Sequence, residues 1–212
     1  MSTFSITFKD KAELMSFATQ FIVDDRLNSL ENDVYRCFPI AEDKIERTCY
    51  APFPALLYCF SIIDLLGAVY AGNARSGNTI KNSENYMKDF LKYPSDKLRL
   101  LQKIYRHKIV HLSQPKSAME YNNQIIAWKH DENDSSKHLT IDSTPGIGDI
   151  YGKVKIQCDG LYIVSIWALK DDIKGSVLRS GDGYLAKLST NIHLQTKFTN
   201  AVNQIFDPAI TS

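Results

Sequence analysis

Apolar residues recur every three to four positions through most of the first 110 residues, the mark of amphipathic helices. Leu14, Phe17, Ala18, Phe21 and Ile22 share one face of a first helix predicted over 10–37. Asp24-Asp25 interrupts that face, and Leu27, Leu30, Val34 and Phe38 resume it. Pro39 to Pro54 reads as a connection with a short turn at 42–48. Pro54 to Tyr70 is apolar almost all round, which predicts a buried helix, and Gly72-Asn73 stops it. A surface loop follows over 74–81. Tyr86, Met87, Phe90 and Leu91 place a short helix over 83–93, closed by Pro94. Ser95 or Asp96 caps the next helix, in which Leu98, Leu101, Ile104, Tyr105 and Lys108 keep the period until Pro115 forbids it.

Beyond Pro115 the period shortens toward two. Strands are predicted over 124–129, 138–141 and 154–158, with a polar turn at 131–136 and a flexible Gly-rich stretch at 145–152. Asp159-Gly160 is open to two readings: a tight turn into a further strand at 161–164, or a helix cap. Ile163, Ile166, Leu169, Ile173 and Val177 fit a helical period and favour the cap. Gly181-Asp182-Gly183 precedes a last helix over 184–206. The expected fold is mostly α (α+β overall), a helical bundle with a small antiparallel β-meander and C-terminal helices. It forms one domain over 1–212, with a helical core at 10–116, the meander at 119–158 and a helical hairpin at 160–207.

Composition narrows the function classes. Of 212 residues, 44% are hydrophobic and 23% charged, which is ordinary for a globular protein. The net charge of +1 excludes nucleic-acid binding by bulk attraction, so any RNA contact needs a local patch. Cys37, Cys49, Cys59 and Cys158 form no Cys-x-x-Cys pair, which argues against a zinc site or a disulfide scaffold and fits a reducing cytoplasm. The first ten residues lack the basic region and apolar core of a signal peptide. Pro54 to Ala71 is long enough to span a membrane, but Asp64 at its centre would cost a few kcal/mol there, so a bundle helix is expected and no membrane partner.

The candidate chemistry lies in Arg106-His107-Lys108-Ile109-Val110-His111, at the end of an apolar helix. An arginine clamps a phosphate with paired N–H donors and stabilises charge that develops on it. A histidine moves protons near neutral pH. These are the residue types that metal-free RNA cleavage needs. On a straight helix Arg106 and His111 would point about 140° apart. They can serve one phosphate if the helix ends or kinks near His111, or if a two-fold dimer shares the site. Lys97, Arg99, Lys103, Lys108 and Lys116 add local positive charge. Lys103, Lys108 and Lys116 are candidate RNA-backbone contacts, although a solvated helix face produces the same pattern.

This stretch, with the helices before it over roughly 54–116, resembles the HEPN family. That family's mark is Arg, then Asn, His or Asp, three residues, then His. The resemblance implies a homodimer with the cleft at its interface and no metal or cofactor. It implies His111 as proton carrier and Arg106 as phosphate clamp, with His107 in the variable polar position. HEPN domains often carry an acidic or polar residue on the preceding buried helix. Asp64 is the candidate here, with Arg106 as its expected partner. The resemblance also implies a toxin or phage-defence setting with an antitoxin protein partner.

Three function classes follow. The first is a metal-independent endoribonuclease that cleaves single-stranded RNA by 2′-OH attack. The second is a non-catalytic, dimeric HEPN-like module that binds RNA, a nucleotide or a protein. The third is an unrelated α+β protein whose Arg106 and His111 merely favour a helix C-terminus. Trp128 and Trp167 read as core, and Asp171-Asp172 as solvated surface. His130, His138 and His193 have no metal-ligand spacing, and Gly146-Ile147-Gly148 lacks the context of a phosphate loop.

Overall fold

The computed structural model describes residues 5–37, 51–75, 77–106, 109, 117–130, 135–150 and 154–207. The protein is mostly helical with a small sheet. Helix α1 (Lys11–Ala18) is capped by Asp10, whose carboxylate accepts the Glu13 N–H at 2.9 Å. The chain does not break at Asp24-Asp25. It winds through a wide, π-type stretch, Thr19–Leu27, into α2 (Asn28–Cys37). Widening the turn keeps Phe21, Ile22 and Leu27 buried while both aspartates stay outside.

Helix α3 (Pro52–Ala71) begins on a proline, whose missing N–H costs nothing in a first turn. It ends at Gly72, where φ is +76°, and the N–H groups of Gly72 and Asn73 both reach the Ala68 carbonyl. By length and composition α3 could cross a membrane, with a mean hydropathy of 1.7, but half of that apolar window is buried within the protein. It is not buried all round, since Leu57 remains 40% exposed. Helix α4 (Thr79–Tyr86) starts before the expected Ser83 and continues as a wide-wound stretch, Met87–Leu91. Helix α5 (Ser95–Leu100) follows Pro94 and passes into a third such stretch, Leu101–Arg106.

The β-region departs from the expected meander. β1 (Ala118–Tyr121) and β2 (Gln124–His130) form a hairpin across Asn122-Asn123. Both asparagines take positive φ, the backbone that a two-residue hairpin turn demands. β3 (Thr140–Asp142) and β6 (Gly160–Val164) complete a four-stranded sheet in the order β1-β2-β6-β3. The sheet is mixed, because β2 and β6 run parallel. β4 (Gly146–Ile150), expected as flexible loop, pairs antiparallel with β5 (Val154–Cys158) in a separate two-stranded ribbon.

The helix expected from Asp159 is therefore a strand first. Asp159 docks on β2 instead of capping: its N–H donates to the Ile125 carbonyl, and its carboxylate accepts the Ile125 N–H, both at 2.7 Å. Gly160 fits because a Cβ there would lie 2.9 Å from the Asp142 carbonyl oxygen. A short apolar run buried on both faces carries no period that separates strand from helix. Helix α6 (Ile166–Leu178) begins after Ser165, whose hydroxyl accepts the Ala168 N–H at 3.2 Å. The last expected helix is two, α7 (Tyr184–Thr190) and α8 (Ile192–Phe206). Asn191 breaks them and caps α8 by accepting from His193 and Leu194.

The chain divides into two compact units, one of residues 1–30, 61–93 and 172–212, the other of 31–60 and 94–171. This division does not follow the expected segments at 10–116, 119–158 and 160–207. In the first unit, rings of Phe8, Phe17, Phe21, Phe198 and Phe206 pack together. Asn203 exchanges two hydrogen bonds with the Ile6 backbone. A second cluster stacks Tyr86 on Phe90, with ring centres 4.9 Å apart, and sets Tyr70 and Tyr184 edge-on to them. In the second unit the sheet buries Ile126, Tyr162, Ile163 and Val164 together with Ile104 and Tyr105.

Candidate functional site

Arg106 closes the Leu101–Arg106 stretch in the second unit. Five of its six residues are buried, and Lys103 alone faces solvent. Neighbouring Tyr105 ties the stretch to the sheet. Its hydroxyl donates to the Lys129 carbonyl at 2.9 Å and lies 3.2 Å from the Tyr162 carbonyl. Tyr162 in turn donates to the Lys97 carbonyl at 3.0 Å, and burial holds its phenol protonated far above the ordinary range. Both ends of the α5 segment are thus bonded to fixed backbone.

Arg106 keeps 8% of its surface exposed. It is therefore no open clamp on the surface. Ile109 is buried, which continues the apolar face past Arg106. His107, Lys108, His111 and Lys116 lie outside the described residues.

Asp64 belongs to the other unit. There the Ser83 hydroxyl donates to its carboxylate at 2.5 Å and lies 2.8 Å from the Thr79 carbonyl. Ser83 therefore supplies one of the partners that a carboxylate on an apolar helix requires. Of the predicted site residues, Arg106 and Lys103 share one stretch, and Asp64 lies elsewhere in the fold. Lys97 sits 3.9 Å from Asp96, and Arg99 is exposed.

Sequence reasoning missed an aromatic row in the second unit. Trp128 and His130, two apart on β2, point to the same side and stack with ring centres 5.9 Å apart. Phe53 packs edge-on against both. All three rings are only half-buried, so Trp128 is not plain core. The i, i+2 spacing of Trp128 and His130 was the available signal.

Other singled-out residues have structural roles. Trp167 and Tyr35 flank the Lys170 ammonium at 5.3 and 5.2 Å. Asp171 is exposed, as expected, and pairs with Lys170 at 3.0 Å, whereas the partly buried Asp172 accepts the Tyr93 hydroxyl at 2.7 Å. His138 accepts the Ser165 N–H through Nδ1 at 3.1 Å, and burial pushes it down to about 4, which keeps the ring neutral near pH 7. Among the described residues no group of three or more His, Cys, Asp or Glu side chains could hold a metal. No family model matches the chain, and no curated protein or solved structure is significantly similar to it.

Proposed function

We propose that this protein is a HEPN-like, metal-independent endoribonuclease acting on single-stranded RNA in the cytoplasm. The observation that carries the reading is Arg106 at the end of a helical stretch anchored to the sheet by its neighbour Tyr105. A guanidinium held this way does not have to be ordered at the moment of reaction. Its burial suits a site poor in water, where a charge-assisted bond to phosphate is stronger. The partly buried rings of Phe53, Trp128 and His130 offer bases a stacking edge in the same unit.

In this mechanism a base removes the proton of a ribose 2′-OH, and the oxygen attacks the adjacent phosphorus. The P–O5′ bond breaks, the 5′-oxygen takes up a proton, and a 2′,3′-cyclic phosphate remains. His111 carries the proton, and Arg106 stabilises the charge on the phosphoryl oxygens. His107 orients His111 or touches the RNA, while Lys103, Lys108 and Lys116 track the backbone. Two chains form the composite site, and an antitoxin protein is the expected partner in a toxin or phage-defence setting.

Purified protein is expected to cut single-stranded RNA in EDTA, leaving cyclic phosphate ends. Arg106→Ala or His111→Ala should lower the rate on the order of 10²–10³, with a double mutant little worse than either. Undiminished cleavage in the double mutant would reject the assignment. A second reading, a non-catalytic dimeric binding module, draws support from the near-neutral charge and the low exposure of Arg106. RNA binding without cleavage of any substrate would select it.

A further inference from the structure

In the first unit a cavity of about 330 Å³ lies where the end of α3, the Met87–Leu91 stretch and the start of α8 meet. Its walls carry Lys92, Lys187, Lys197 and His193 against a single carboxylate, Asp89. The Lys187 ammonium stands 5.0 Å from the centre of the Phe90 ring, and that of Lys197 5.6 Å from the centre of Tyr70. Those two rings are 5.2 Å apart, edge to face, so both ammonium groups belong to one small area. Among the described residues neither has a carboxylate within ion-pair distance.

Asp89 supplies one negative charge against these cations. Its carboxylate accepts the Tyr70 hydroxyl at 2.6 Å, which fixes the ring beneath Lys197, and its carbonyl accepts from the Lys92 ammonium at 2.5 Å. The stem of the exposed Lys197 packs closely on Gly72. A Cβ on Gly72 would stand 3.0 Å from its Cα, Cβ and Cγ, and φ of Gly72 is +76°. The bare, left-handed glycine lets α8 approach the end of α3 closely here. Three lysines around a hollow with one carboxylate still repel one another, and an anion in the hollow relieves that repulsion.

We propose that this cavity binds a phosphate ester, with Lys187 and Lys197 as its main counter-charges and the exposed Lys92 and His193 at its rim. A cavity of this volume is at the lower end for small-ligand sites. It has room for a phosphate and part of what it is attached to, with the apolar wall of Phe90 and Leu194 beside it. The phosphate is that of a free nucleotide or of an RNA end. The inference stands apart from the ribonuclease reading, because Arg106 lies in the other unit.

The test is calorimetric titration at constant ionic strength with sodium pyrophosphate, ADP and a 5′-phosphorylated RNA trinucleotide, with chloride as control. At least one phosphate probe should bind at one site per chain. Lys187→Gln and Lys197→Gln should each weaken it roughly tenfold or more, as loss of a charged partner does. Lys187→Arg should retain binding, and Lys81→Gln, on an exposed lysine outside the cavity, should leave it unchanged. Binding of ADP and pyrophosphate identifies a free nucleotide; binding of the RNA probe alone identifies a nucleic-acid end. If a glutamine variant melts early, amide shifts of the wild type with pyrophosphate replace it, and they should centre on Lys92, Lys187, His193 and Lys197. Shifts centred elsewhere, binding indifferent to both glutamine variants, or no binding at millimolar concentration would overturn the proposal.

Discussion

Tyr105 donates to the Lys129 carbonyl on β2, and the next residue in the chain is Arg106. Tyr105→Phe removes that donor from the Lys129 and Tyr162 carbonyls, at a cost of roughly 1–2 kcal/mol. Urea unfolding should register the loss, and the proposed RNA cleavage should fall with it, because the mount of Arg106 loosens. Unchanged stability would mean that the hydroxyl anchors nothing. His138 acts through pH. Its ring titrates near 6.5 unfolded and is pushed down to about 4 by burial in the fold. Protonation therefore favours the unfolded chain, so the contribution is complete above about pH 6.5 and is lost as pH falls toward 4, up to about 3 kcal/mol. Melting temperature should drop across that window, and less steeply in His138→Asn. Parallel curves for the two proteins would count against a neutral buried ring.

At the scale of elements, close approach sets the demands. α3 meets the middle of α4 at Gly67, where a Cβ would stand 2.7 Å from the backbone of Asn82 and Ser83. Backbone cannot rotate away as a side chain can. Gly67→Ala should therefore destabilise by about 1–3 kcal/mol despite its better helix propensity, and thermal melts can read this directly. A neutral or stabilising result would contradict the packing. Three helical stretches wind wide, at Thr19–Leu27, Met87–Leu91 and Leu101–Arg106. A period of three to four locates each helix, but inserting the extra backbone of a wide turn shifts the register without erasing the apolar face.

At the scale of the whole molecule, the chain carries almost equal numbers of basic and acidic residues, 25 and 24. Long-range attraction to RNA is correspondingly weak, and the proposed site must gain its affinity locally. Shared between two chains, it would gather two arginines and two histidines around one cleft. Sedimentation at micromolar concentration should then report about twice the 24.1 kDa of one chain. A monomer at all concentrations, still active on RNA, would exclude a composite site.

The periodicity of apolar residues alone determined that the protein is mostly helical, and it located most of its helices. Side-chain spacing is local information, and a buried helical face has to repeat wherever the helix packs. The residues of the Arg106 segment and the isolated acid Asp64 were likewise legible, because charge in an apolar run stands out. Tertiary structure decided what local spacing cannot carry. It made 160–164 a central strand, since Asp159 and Gly160 meet partners more than thirty and nearly twenty residues away, at Ile125 and Asp142. It turned an expected antiparallel meander into a mixed sheet, because the parallel pairing of β2 with β6 joins strands distant in sequence. It also assembled the lysines around Tyr70 and Phe90 from three separate segments, where no stretch of sequence shows more than one of them beside a ring.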